Sequence, residues 1–152
     1  MAAPKITRFE DLPVWKDARK FANAVYTLTF SEAFIRDYAL RDQTRRAAIS
    51  IMANIAEGFD RDSGKDFIRF LRYSIASASE VRSHLHLASD LEYINETQHR
   101  QAIREALSIS RQIGGFIKYL ESKTAAEAKR KTSVDPERHN ETDGARRAKI
   151  SN

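Results

Sequence analysis

The segment LRDQTRRAAISIMANIAEGFDR, from Leu40 to Arg61, carries five hydrogen-bonding side chains at helical spacing: Gln43, Arg46, Ser50, Asn54 and Glu57. Steps of three and four residues place them on one stripe of a helix. Leu40, Thr44, Ala47, Ala48, Ile51 and Ile55 follow the same period on a neighbouring stripe, the pattern of a surface pressed against a core. A row mixing an amide, a guanidinium, a hydroxyl and a carboxylate is suited to recognition. Each such group costs about 1–3 kcal/mol if buried without a partner. The row therefore predicts a seam between helices or subunits in which the groups satisfy one another, with a solvated stripe as the alternative. Glu80 adds an acceptor from the following helix, so Arg46, Asn54, Glu57 and Glu80 are expected to form a connected network, either between the two helices or across a subunit boundary.

Other chemistry is poorly provided for. Glu96 and His99 form an E-x-x-H pair, the unit from which di-iron bundles are built, but those sites need a second copy and two further glutamates. Capping or surface contact is the expected role here. Glu80 and His84 are i,i+4 neighbours with His86 close by, yet two histidines two residues apart diverge around a helix. No metal site and no cofactor is expected. There is no glycine-rich phosphate loop, no nucleophile elbow and no cysteine, and nothing pairs Ser50, Ser74, Ser77 or Ser79 with a histidine base. The sequence thus predicts a non-enzymatic protein. Trp15, Phe21, Tyr26, Phe67, Phe70 and Tyr73 are expected in the core or an interface, not as a base-stacking platform.

The formal charge of +5 over 152 residues invites a nucleic-acid partner, but its distribution weakens the inference. Residues 123–152 hold eight Lys or Arg against five acids, leaving 18 basic and 16 acidic residues in 1–122. A basic binding face must then come from segregation of charge in three dimensions or from repetition of a modest patch in an oligomer. Arg41, Arg45, Lys65, Arg69 and Arg72 are the candidates for sequence-tolerant contact with the phosphates of RNA or DNA. The absence of cysteine suits a reducing compartment. The N-terminus lacks the apolar core of a signal peptide, and no run approaches the roughly 18 apolar residues of a membrane span. The expectation is a cytoplasmic protein with no membrane contact.

The elements that must position these residues are helices. Proline occurs only at positions 4, 13 and 136, so the interval between Val14 and Asp135 is free of the strongest helix breaker. Asp11 is expected to cap a first helix with Pro13 in its first turn, ending near Phe30; residues 31–39 form a connection with a helical turn around Phe34. The helix from Leu40 ends at Gly58 to Gly64. A third runs from Gly64 or Lys65 to Leu91 on an inward stripe of Phe67, Leu71, Ser74, Ala78, Val81, Leu85 and Ala88. Its small-residue centre, Ser74 to Ser79, allows close approach of a neighbour or leaves room for bulky partners. Asn95 caps a fourth, reaching Ser122 with Ile103, Ala106, Leu107, Ile113, Ile117 and Leu120 inward. Four amphipathic helices with short connections specify an all-α, antiparallel up-down-up-down four-helix bundle. Its expected span is 9–122, between a flexible N-terminus (1–8) and a flexible charged tail (123–152) that can begin as a frayed continuation of the fourth helix.

The stretches FEDLPVWKDARKFANAVYTLT, LRDQTRRAAISIMANIAEGFDR and DFIRFLRYSIASASEVRSHLHLASDLEYI resemble the four-helix-bundle family of 23S rRNA intervening sequence proteins. The resemblance runs from about Phe9 to Leu120. Its most specific part is Gln43, Arg45, Arg46, Ala47, Ser50 and the run Asn54 to Gly58, reinforced by Arg61, Ser63, Phe67, Ser79 and Glu80. Ser31 stands where many relatives have proline, and Thr44 where an aliphatic residue is usual. Other members resemble the accessory variability protein of diversity-generating retroelements, a barrel-like homopentamer with a basic nucleic-acid-binding surface. The resemblance implies a binding or assembly protein that associates with itself, a pentamer being favoured, and that engages RNA or DNA, or another protein as a scaffold.

Overall fold

The computed structural model describes residues 2 and 4–134, and among them it is helical with no strands. A single 3-10 turn, Phe9–Asp11, leads into α1 (Pro13–Thr29), followed by the five-residue α2 (Glu32–Arg36), α3 (Tyr38–Phe59), α4 (Gly64–Asp90) and α5 (Glu96–Ser133). The four long helices alternate in direction. α3 packs on α1 and α4, and α5 packs on α4 and α1, closing an antiparallel ring around one core. That is the expected up-down-up-down bundle, with α2 as a short link at one corner.

Helix boundaries follow local chemistry, with three departures from expectation. Asp11 does not cap α1; the N-cap is Leu12, whose side chain is buried and whose N–H donates to the carbonyl of Phe9 at 2.9 Å. Burial of Leu12 and edge-on packing of Phe9 against Trp15 at 5.1 Å decide that start, and Pro13 supplies the first helical residue. α3 begins two residues before Leu40, because the Asp37 carboxylate accepts from the Leu40 N–H at 3.1 Å. α5 runs eleven residues past Ser122. Residues 123–133 are rich in Ala, Lys, Arg and Glu without proline or glycine, and they stay helical although every one is exposed. Its inward stripe is Ala102, Ala106, Ile109, Ile113 and Ile117, so Ile103 and Leu107 sit half-buried on the flank instead. The rest of the charged tail, 135–152, lies outside the described residues.

Two other helix starts are capped by side chains, α5 by Asn95 as expected. The Ser63 hydroxyl accepts from the Asp66 N–H, and Asn95 and Gln98 form a reciprocal capping box. α4 ends in a Schellman turn: Glu92, at φ 59°, occupies the left-handed position, and the Tyr93 N–H donates to the Ala88 carbonyl at 2.9 Å. Tyr93 then ties this corner together, its hydroxyl donating to Asp37 at 3.1 Å while its carbonyl accepts from Ser31. The Asp37 carboxylate beside it raises the Tyr93 phenol above its ordinary range, since ionisation would remove that hydrogen bond and place two negative charges together.

α3 and α4 approach each other closely. The fully buried Ser74 donates from its hydroxyl to the Ile51 carbonyl at 2.8 Å, and Ser77 donates to Ser50 Oγ at 3.0 Å. Near the end of α3, a methyl group built on Gly58 would lie 2.6 Å from Cβ of Phe70 and 2.9 Å from Cδ2 of Phe67, so glycine is required by the neighbouring helix. Thr44, where an aliphatic residue would be ordinary, is fully buried and satisfies its hydroxyl on the Leu40 carbonyl of the preceding turn.

Candidate interface and basic surface

The contacts from Ser50 to Ser77 and from Ser74 to Ile51 fix the register of α3 against α4. Extended along the antiparallel pair, that register sets Gln43 level with His84, Arg46 with Glu80 and Asn54 with Tyr73. The 3.6-residue turn puts Gln43, Arg46, Ser50, Asn54 and Glu57 on the flank of α3 facing the outer groove between the two helices. It puts Tyr73, Glu80, His84, Leu87 and Leu91 on the matching flank of α4 and its C-cap. Three large apolar residues on that flank are open to solvent: Tyr73 at 48%, Leu87 at 47% and Leu91 at 45%. Polar and apolar groups thus share one exposed face.

Only part of the expected polar network forms within the chain. Asn54 donates to both the carbonyl and the hydroxyl oxygen of Ser50, and Ser77 completes a short chain into α4. Gln43, Arg46, Glu57 and Glu80 are exposed; Glu57 pairs along its own helix with Arg61 at 2.8 Å. Arg46 and Glu80 face each other at one level, yet no ion pair or side-chain hydrogen bond joins either to another group among the described residues. The expectation of an intrachain network linking Arg46, Asn54, Glu57 and Glu80 is therefore corrected. The reason is steric: small residues draw the helices together at Ser50, Ser74 and Ser77, and the long side chains are displaced to the rim.

The five expected phosphate-binding cations do not form one patch. Arg41 and Arg45 lie in the first half of α3, whereas Lys65, Arg69 and Arg72 lie at the start of α4. The α3 segment between Arg45 and Phe59 alone spans about 20 Å. Arg45 is structural: its Nε donates to Thr29 Oγ1 at 2.8 Å, and its guanidinium lies over Tyr26 and Phe30 at 4.6 and 4.9 Å. Arg41 is held by the Ile35 carbonyl and by Asp42, with its side chain only 21% exposed. That hydrogen bond from Arg41 keeps the Asp42 carboxyl below the usual carboxylate range. Arg69 pairs with Asp66, and Arg72 with Glu121 on α5. Lys65 alone of the five makes neither an ion pair nor a side-chain hydrogen bond among the described residues; it borders a shallow apolar notch with Ile68, Ala125 and Ala128.

A better-organised set of cations lies outside those five. Arg104, Arg111 and Lys118 are exposed and lie seven residues apart, so they form a straight stripe along the outer face of α5 with about 10 Å between neighbours. None is in an ion pair among the described residues. The sequence signal for them is the spacing i, i+7, i+14, set about 200° around the helix from the inward pair Ala106 and Ile113. Glu96 and His99 make surface contacts, as expected, with partners the sequence does not single out. His86 of α4 meets His99 of α5, Nδ1 to Nε2, at 3.0 Å. Glu96 pairs with Arg100 instead of acting with His99. Among the described residues no three His, Asp or Glu side chains converge as metal ligands, and no helix is long and apolar enough to cross a membrane.

The fold defines a class, an antiparallel helical bundle. The family follows from comparison: the model described as 23S rRNA-intervening sequence protein matches residues 10–115, and the chain belongs to that family. Among solved structures it is similar to a protein of unknown function from the S23 ribosomal protein family of Bacteroides thetaiotaomicron VPI-5482. The two share 27% identity and a TM-score of 0.64, over 69% of this chain and 98% of that one. Comparison with curated proteins gives no match. The family match stops at Gly115, so the last part of α5, including Lys118, lies beyond it.

Proposed function

We propose that the chain is a non-enzymatic, cytoplasmic module that assembles with copies of itself through the α3–α4 face and holds RNA or DNA weakly through phosphate contacts. A homopentamer is the favoured assembly. The observation that carries self-association is the coincidence, on one face, of exposed Tyr73, Leu87 and Leu91 with exposed Arg46 and Glu80, which form no ion pair among the described residues. An apolar patch with polar groups lacking partners at its edge is what a subunit seam needs. The stripe Arg104, Arg111 and Lys118, repeated around a ring, supplies the positive field that one chain lacks.

A protein-interaction scaffold with no nucleic-acid role is the second reading, and the near balance of charge in residues 1–122 favours it. Fluorescence anisotropy with a mixed-sequence RNA and a DNA duplex, over a salt series, separates the two. The full chain, a chain ending at Ser133, and the triple variant Arg104→Glu, Arg111→Glu, Lys118→Glu are compared. The proposal predicts salt-sensitive binding that survives truncation and falls in the triple variant, with the log–log salt slope reduced by about 1 for each phosphate interaction abolished. Loss of binding on truncation would assign it to residues 134–152, and no binding by the full chain at low salt would leave the scaffold reading.

A further inference from the structure

We propose that His86 and His99 form a two-imidazole site for a divalent transition-metal ion, with Zn2+ as the reference case, that clips the end of α4 to the start of α5. The two rings come from different helices and present Nδ1 of His86 and Nε2 of His99 to each other at 3.0 Å, with ring centroids 4.9 Å apart and planes inclined at 72°. Two nitrogens bound to one zinc at about 2.0–2.1 Å and a tetrahedral angle stand roughly 3.3–3.4 Å apart. The observed separation is a few tenths of an ångström short of that, a gap that rotation of two surface rings closes without moving either helix.

Backbone order supports the same geometry. His99 sits in the first turn of α5, which the Asn95–Gln98 capping box fixes, and His86 sits in the regular part of α4 before its Schellman turn. Without metal, one ring donates its N–H to the other. On binding, the donor ring takes the tautomer with its proton on the far nitrogen, so both facing nitrogens offer lone pairs and no proton need leave a neutral pair. No third His, Asp or Glu completes the set among the described residues, so water fills the remaining positions. Arg100 and Arg104 line the same cleft. Glu96 offsets Arg100, leaving Arg104 as the charge that opposes the ion.

Zn2+ titration of the full chain by calorimetry, with thermal melts before and after a chelator, tests the site. One saturable ion per chain and a melting temperature raised by Zn2+ and restored by the chelator are expected. His86→Gln and His99→Gln should each weaken binding by at least about tenfold, whereas His84→Gln and His139→Gln should not. Arg104→Ala should tighten it. Both histidine variants replace exposed or half-exposed side chains, and circular dichroism checks that each is folded. Unchanged affinity in either His86→Gln or His99→Gln, or no saturable binding up to about 1 mM Zn2+, overturns the proposal.

Discussion

The α3–α4 and α1–α5 pairings are built by the same packing of antiparallel helices, yet they differ in how close they come. Between α3 and α4 the contacts reach the backbone: Ser74 touches the Ile51 carbonyl, and Gly58 leaves no room for a methyl group beside Phe70. Between α1 and α5 there is a cleft of about 260 Å³ floored by Phe21, Ala24 and Ile109 and rimmed by Asp17, Lys20, Glu105 and Gln112. A single side-chain bridge crosses it, Gln112 donating to Asp17 at 3.1 Å. Small residues at matched levels on both partners draw the first pair together. In the second pair, long polar side chains on both helices line the rims. Tight packing also forces Arg46, Glu57 and Glu80 outward, which is how the rigid side of the bundle acquires its polar face.

This contrast makes substitutions on the two sides unequal. The largest effect is expected at Gly58→Ala. The added methyl overpacks against Phe70 and Phe67 at a cost of about 1–3 kcal/mol, which outweighs the gain of about 0.5–1 kcal/mol from replacing a helical glycine. Urea unfolding should show a lower midpoint at unchanged slope. Ser74→Ala removes one buried hydrogen bond without stranding its acceptor, since the Ile51 carbonyl remains inside α3, and should lower stability by about 1 kcal/mol in the same measurement.

On the open side, Gln112→Ala should cost less than about 0.5 kcal/mol, as surface changes do. Ala24→Leu, which adds volume where the cleft has room, should be neutral within a similar margin. If Ala24→Leu destabilised as much as Gly58→Ala, the distinction between the two pairings would fail. Tyr93→Phe sharpens the picture at the shared corner, where it removes the hydrogen bond to Asp37. Because the Tyr93 phenol is raised in the folded chain, its contribution is present below the phenol's ordinary range and is lost as pH rises through the folded value. Melts above that range should therefore show wild type and Tyr93→Phe converging.

The bundle is legible in the sequence because helical periodicity, the Asn95 cap and the proline-free interval all point one way. The small residues from Ser74 to Ser79 correctly announce close approach. What sequence alone does not show is which partner fills a polar row's hydrogen bonds. Arg46 and Glu80 are the right types at the right spacing, but both lie exposed on the rim, where their partners depend on side-chain placement that no local pattern gives. Arg45 reads as a free cation in the sequence, whereas in the fold Tyr26, Phe30 and Thr29 enclose it. The His86–His99 pair joins residues thirteen apart on two helices, so neither helix's own spacing contains it. The helical run from 123 to 133 is the continuation of the fourth helix that the sequence left open: lack of apolar residues argues against core, not against helix.

Self-association through the α3–α4 face is the central claim, and light scattering on the purified full chain at micromolar concentration tests it most directly. The wild type is expected to have a mass several times that of one 17.4 kDa chain, close to fivefold if the pentamer is right, whereas Tyr73→Asp with Leu87→Asp should fall to a single folded chain. A monomeric wild type, or an assembly whose mass the double variant leaves unchanged, would contradict the account.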